Sequence, residues 1–289
     1  LGWSVSSILV GCAVGAMFAG KIADRHGRRL SLIVCAVLFA ISGIGAGMSH
    51  QLFVFILFRL VGGLGVGAAA MVSPMYIAEM APAKWRGRLV ACYQMAIVIG
   101  ILVAYFTNYF LNNLGEDSWR WMFASQTAPS LLFFLLLLRV PETPRWLIMK
   151  GRRQEAKDIL EKISSGLPVD EELADIEKSF HHQHRISLKH LLTKTYRPVL
   201  FIGIIVAVFQ QVTGINSIIY YAPVIFKETG ISSSSSLFQT IIIGVVSVAS
   251  TFAAIGLVDK IGRRKLLLTG SVLMGLSLSA VGLCFHYHY

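Results

Sequence analysis

The 289 residues carry 26 Lys and Arg against 15 Asp and Glu, a formal charge of +11 at pH 7. Charged residues nevertheless make up only 14% of the chain and hydrophobic ones 55%, far below the roughly 25% charge of soluble domains, which excludes an ordinary water-soluble globule. The basic residues fall in short loops between apolar runs and form no continuous face, so they are not a nucleic-acid footprint.

In chain order, segments near 1–20, 30–49, 52–75, 88–111, 119–140, 197–226, 237–258 and 265–285 are each predicted to cross a bilayer, since a span needs about 20 predominantly apolar residues. The polar interruption at 141–196 divides them into a first bundle (1–140), a linker (141–196) and a second bundle (197–289). The first span ends in Gly20-Lys21-Ile22-Ala23-Asp24-Arg25-His26-Gly27-Arg28-Arg29, and the seventh in the similar Gly256-Leu257-Val258-Asp259-Lys260-Ile261-Gly262-Arg263-Arg264-Lys265. Two such hairpins mark an internal duplication, and duplicated membrane bundles place a substrate between the repeats.

Lys and Arg crowd the loops 21–29, 84–88 and 260–265 and both ends of 141–196, while His50-Gln51, Asn112 to Ser118 and Lys227 to Ser236 hold almost none. By the positive-inside rule the basic loops and the linker are cytoplasmic. The reading is an integral protein of the inner (plasma) membrane. Threading the spans puts Leu1 and Tyr289 outside, and the unequal placing of the two hairpins predicts the middle of a twelve-span protein. Its first half would lack the opening span and its second half the last three.

Within the linker, Arg152 to Ile163 puts Ala156, Ile159, Leu160 and Ile163 on one helical face. A second helix follows Leu167-Pro168, with Leu173, Ile176 and Phe180 in register, and a third short piece is predicted at Ser187 to Thr193. These apolar faces are expected to lie against the cytoplasmic ends of the spans. His181, His182 and His184 have no Cys or acidic partner at ligand spacing and read as a solvated loop. Cys12, Cys35, Cys92 and Cys284 lie in apolar runs and read as packing residues.

Polar side chains inside spans are costly unless they face a cavity or another helix. Gln94, Gln210, Gln211 and Asn216 are such residues. An amide offers both donors and an acceptor without charge, which suits a ligand rich in hydroxyls. Interhelical bonding explains any one of them equally well. Gly214 permits local unwinding beside them. Arg59 is the only charge deep in a span, flanked by Phe55 to Phe58 and Leu60. Such a charge costs about 2.5–3.5 kcal/mol on insertion scales and nearly always pairs. No acid of the visible spans is placed to reach it.

Several motifs run through the chain in one order: Asp24-Arg25-His26-Gly27-Arg28-Arg29; Arg59 with Gly62-Gly63; Pro74-Met75-Tyr76-Ile77-Ala78-Glu79; Arg86-Gly87-Arg88; Pro141-Glu142-Thr143-Pro144-Arg145-Trp146; Gln210-Gln211-Val212-Thr213-Gly214-Ile215-Asn216; Tyr220-Tyr221-Ala222-Pro223; and Asp259 to Arg264. In these the chain resembles the sugar porter family of the major facilitator superfamily, in its bacterial xylose/glucose-type members. The resemblance implies an all-α membrane bundle, with eight spans visible of twelve. It implies alternating-access transport of a monosaccharide, by proton symport or facilitation, with no cofactor, metal or enzymatic chemistry. Substrate-binding positions carried over are Gln94, Ile97, Ile101, Gln210, Gln211, Asn216 and Tyr220. A cytoplasmic gate falls on Asp24, Arg28, Arg29, Glu79, Arg86, Glu142, Arg145, Asp259 and Arg263. One exposed ion pair there is worth about 0–1 kcal/mol, whereas a network biases the bundle equilibrium. Arg59 takes the coupling position, opposite an Asp of the absent first span. Ile101 is apolar where a xylose-transporting relative has an amide, which favours a hexose. Ser247 stands where many members have Asn, and Gln126 where a proton-coupled relative has Glu. The alternative function is a membrane sugar sensor that keeps the site without transport.

Overall fold

The computed structural model describes residues 2–82, 85–115, 117–163, 169–182, 196–214, 218–219, 221–222, 224–225 and 233–287. Among these there is no strand. The helices are α1 (Gly2–His26), α2 (Arg28–Met48), α3 (Leu52–Met80), α4 (Arg86–Leu111), α5 (Ser118–Ser125), α6 (Thr127–Arg139), α7 (Pro144–Met149), α8 (Arg153–Ile163), α9 (Val169–His182), α10 (Arg197–Val212), α11 (Ser233–Ile261) and α12 (Arg263–His286).

Seven described segments are long and apolar enough to cross a membrane, with α5 and α6 together forming one of them. The eighth expected span, 197–226, is described only in part. Its described helix, α10, has 16 residues, which at 1.5 Å per residue reaches about 24 Å, short of the roughly 30 Å hydrocarbon core. The helix stops because Gly214 turns to φ 78°, and the Thr213 hydroxyl donates back to the Gln210 carbonyl at 2.7 Å. The span expected at 119–140 is interrupted at Gln126. Pro129 has no N–H for the carbonyl four residues back and its ring crowds that carbonyl, so the helix breaks one turn earlier.

The tightest seam joins α1 to α3. Gly11 and Gly15 on one helix oppose Gly63 and Gly67 on the other. A Cβ added at Gly63 would lie 2.9 Å from the Gly11 Cα, and one at Gly67 2.8 Å from the Cys12 Cα. Spacing small residues four apart lets backbones approach in lipid, where packing replaces the hydrophobic effect as the force between helices. Below this seam Ala19, Ala23, Leu32, Ala36, Val72 and Leu137 form a buried core shared by α1, α2, α3 and α6.

The second bundle meets the first along α4 and α11. Gly244 of α11 faces Leu102 and Tyr105 of α4. Tyr109 and Phe238 rings lie 6.1 Å apart, and the Tyr105 hydroxyl reaches the Ile219 carbonyl at 3.5 Å.

In the linker, α8 and α9 pack on each other and on α7, and α7 touches α3. The expected docking of the module onto the spans therefore runs through α7. Leu147, Ala156, Leu160 and Leu173 are buried, and Lys157–Asp170 (2.8 Å) and Arg153–Glu177 (3.0 Å) tie α8 to α9. Residues 187–193 and His184 lie outside the described residues, as do the side chains of Phe180, His181 and His182.

Candidate functional site

The two copies of the basic hairpin share a backbone. Gly27 has φ 103° and ψ 157°, and Gly262 has φ 85° and ψ 149°. This region favours glycine, so the glycine of each copy follows from the turn. In the first copy the new helix begins with unsatisfied N–H groups, and Glu142 supplies acceptors for them. Its carboxylate takes bonds from the Arg28 N–H (3.0 Å), the Arg29 N–H (3.1 Å) and its neighbour's Thr143 N–H (3.0 Å). A Cβ on Gly27 would run into that carboxylate.

Arg28 is 7% exposed. Its guanidinium meets Glu79 at 3.1 Å and Asp24 at 3.0 Å. Arg29 donates to the Leu137 and Leu138 carbonyls at the end of α6. The Trp146 indole donates to the Asp24 carbonyl at 3.1 Å, and the Tyr76 hydroxyl to the Pro141 carbonyl at 2.7 Å. Thr143 caps α7 through the Trp146 N–H. The described part of the expected gate thus closes within the first bundle and the start of the linker. Arg86 and Arg145 are exposed, and the Asp259 and Arg263 side chains lie outside the described residues. Sequence reasoning took Glu142 for an ion-pair partner. Its role as a helix cap was readable only from the Gly27 turn, which creates the open N–H groups.

The amide positions occupy open faces. Gln94 and Ile97 are exposed and Ile101 is half-buried. At 100° per residue these three share one stripe of α4, about a quarter turn from the Leu102–Tyr105 face that meets α11. Gln210 and Gln211 are exposed in the last turn of α10, beside the Gly214 break. No described hydrogen bond joins Gln94 to Gln210, and Asn216 and Tyr220 lie outside the described residues. The Ser247 hydroxyl is taken up by the Ile243 carbonyl of its own helix at 2.8 Å. Gln126, at the helix break, donates to the Phe39 carbonyl at 3.3 Å.

Arg59 sits half-buried on α3 with its guanidinium 5.4 Å from the Phe123 ring centre. Phe123 in turn stacks edge-on with Phe55 at 5.1 Å, and Trp119 closes the cluster on Phe55 at 6.0 Å. Sequence reasoning searched for an acid and missed this aromatic face. The signal was the i, i+4 spacing of Trp119 and Phe123. Among the described residues no group of three or more His, Cys, Asp or Glu is arranged to hold a metal.

Membrane-length helices joined by two copies of one basic hairpin mark a helical membrane protein built from repeated bundles. Residues 1–288 match the family described as sugar (and other) transporter, and the chain belongs to that family, the sugar porters of the major facilitator superfamily. It is 40% identical to the D-xylose-proton symporter of Escherichia coli (strain K12) over 310 residues, covering 99% of this chain and 63% of that protein. The arabinose-proton symporter of Bacillus subtilis (strain 168) is 41% identical over 292 residues, again covering 99% and 63%. The structure of the xylose transporter XylE from E. coli, in a partially occluded inward-open conformation, is similar with a TM-score of 0.88. It is 38% identical and covers 99% of this chain and 68% of that one. The chain thus spans about 63% of the length of these curated relatives. That family is one of transporters and not of enzymes.

Proposed function

We propose that this chain belongs to a carrier that moves a hexose across a bacterial plasma membrane by alternating access, coupled to protons or by facilitation. The observation that carries this reading is the break of α10 at Gly214, one turn past Gln210 and Gln211. A broken span frees backbone groups beside two uncharged amides, which is what a polyhydroxylated, neutral ligand needs. Gln94, Ile97 and Ile101 supply the facing stripe on α4, with Asn216 and Tyr220 completing the site. The apolar Ile101 supports a hexose over a pentose. The rim residues Asp24, Arg28, Arg29, Glu79, Arg86, Glu142, Arg145, Asp259 and Arg263 form the gate, with the linker on the cytoplasmic side. Arg59 is the coupling residue. Relatives named for xylose, arabinose, glucose and myo-inositol transport support the solute class.

The test is uptake of labelled glucose, xylose and arabinose into proteoliposomes containing the full reading frame that holds this chain. Runs with and without an imposed proton gradient separate symport from facilitation. Saturable glucose uptake that exceeds both pentoses is expected. Preference for a pentose overturns the hexose assignment, and no uptake of any sugar overturns the transport reading.

A further inference from the structure

An apolar slot opens between α1 and α2 beside the Gly20–Arg29 hairpin. It holds about 310 Å³, with Phe18 and Ile22 on one wall, Val34 and Leu38 on the other, and Leu64 and Ala68 of α3 as its floor. Phe18, Ile22 and Val34 are 56%, 48% and 50% exposed at its mouth. All three helices are long and apolar enough to span a membrane, so the slot between them lies at membrane depth. An unfilled slot forfeits dispersion contacts along its whole lining, and a lipid tail is the apolar chain at hand.

The polar end of the slot decides which lipid. Phe18, Ile22 and Arg25 follow one face of α1 at helical spacing, so Arg25 lies a turn beyond the slot, with Lys21 next to Ile22. Both cations are exposed, and neither makes an ion pair or a hydrogen bond among the described residues. The acids nearby are engaged: Asp24 and Glu79 hold Arg28, and Glu142 holds the N–H groups of α2. The hairpin therefore presents uncompensated positive charge at the mouth of an apolar groove, the complement of an anionic headgroup on an acyl chain.

We propose that the slot binds one acyl chain of an anionic glycerophospholipid whose phosphate rests on Arg25 and Lys21. The purified, delipidated full-length protein is titrated with phosphatidylglycerol or phosphatidylcholine of identical chains, and bound lipid is counted by native mass spectrometry. Phosphatidylglycerol is expected to bind more tightly. Arg25→Gln should weaken it about five-fold, from the typical attraction of one cation near an anionic lipid, and weaken phosphatidylcholine, whose choline offsets its phosphate, by less. Val34→Trp fills the mouth and should weaken both lipids, and Val34→Phe does so with less bulk if the larger residue disturbs folding, as judged by circular dichroism. Equal binding of the two lipids overturns the proposal, as does unchanged binding in either the charge variant or the filling variants.

Discussion

The Glu142 carboxylate stands on the first N–H groups of α2, 3.0 Å from that of Arg28 and 3.1 Å from that of Arg29. A residue 114 positions away in sequence thus starts a membrane span. Glu142→Ala removes acceptors from buried donors, a loss of about 1–3 kcal/mol. Gly27→Ala should cost at least as much, because it strains the turn and collides with the same carboxylate. Melting of the purified protein followed by circular dichroism checks both. Additive losses in the double variant would show that the two residues do not act on one feature.

Arg28 and Glu79 are each 9% exposed at the side chain. Removing one partner of a buried pair leaves an uncompensated charge and costs about 3–5 kcal/mol. Glu79→Ala should therefore lower the melting temperature far more than Arg145→Ala, whose side chain is exposed. Equal effects would show that burial does not set the strength of this pair.

Gln210→Ala in the full-length protein is expected to weaken sugar binding roughly ten-fold, the consequence of about 1–3 kcal/mol for an unsatisfied partner. Isothermal titration with the preferred sugar measures it. Unchanged affinity in well-folded Gln210→Ala and Gln211→Ala variants removes α10 from the site.

Arg59→Ala is expected to abolish accumulation against a gradient while equilibrium exchange of labelled sugar continues. Phe123→Leu takes away the ring under the guanidinium, a contact worth about 0.5–2 kcal/mol, and should lower stability without uncoupling. Accumulation that survives in Arg59→Ala makes the residue structural.

The linker carries a pH dependence of known sign. Bonding to Lys157 holds the Asp170 carboxyl below its ordinary value, and bonding to Arg152 does the same for Glu155. Acids with depressed folded values contribute stability above their unfolded range and lose it as pH falls through the folded values. Amide exchange in α8 and α9 should therefore speed up, relative to the intrinsic rate, as pH drops below the usual carboxylate range. Asp170→Asn should remove part of that response, and an identical profile in the variant would dismiss the Lys157 pair as a contributor.

Much of the architecture was legible because lipid enforces it. Spans must be long, apolar and helical, so α1 to α4, α11 and α12 stand where hydropathy puts them. The breaks at Gln126 and Gly214 were harder, since a proline or glycine inside an apolar run is compatible with a kink or a continuous helix. Pro74 illustrates the point, lying inside α3 without ending it. The charged motifs announced themselves as ions, yet Glu142 bonds mainly to backbone. Side-chain identity reveals charge, whereas a cap depends on where another segment's N–H groups end up. The pairing of Gly11 and Gly15 with Gly63 and Gly67 was written as small residues four apart on both helices, but the register that joins them is a tertiary choice.

Thr143 is wholly buried and Pro144 opens α7, so the junction between the first bundle and the linker has no free joint. With Glu142 fastened to α2 and Trp146 to the end of α1, the linker module is geared to the bundle like an arm on a shaft. A tilt of the bundle sweeps α8 through an arc, while the separation between a probe on Asp158 and one on α2 stays fixed. Spin labels on the module would then report bundle rotation from outside the membrane, without any probe in the transport path.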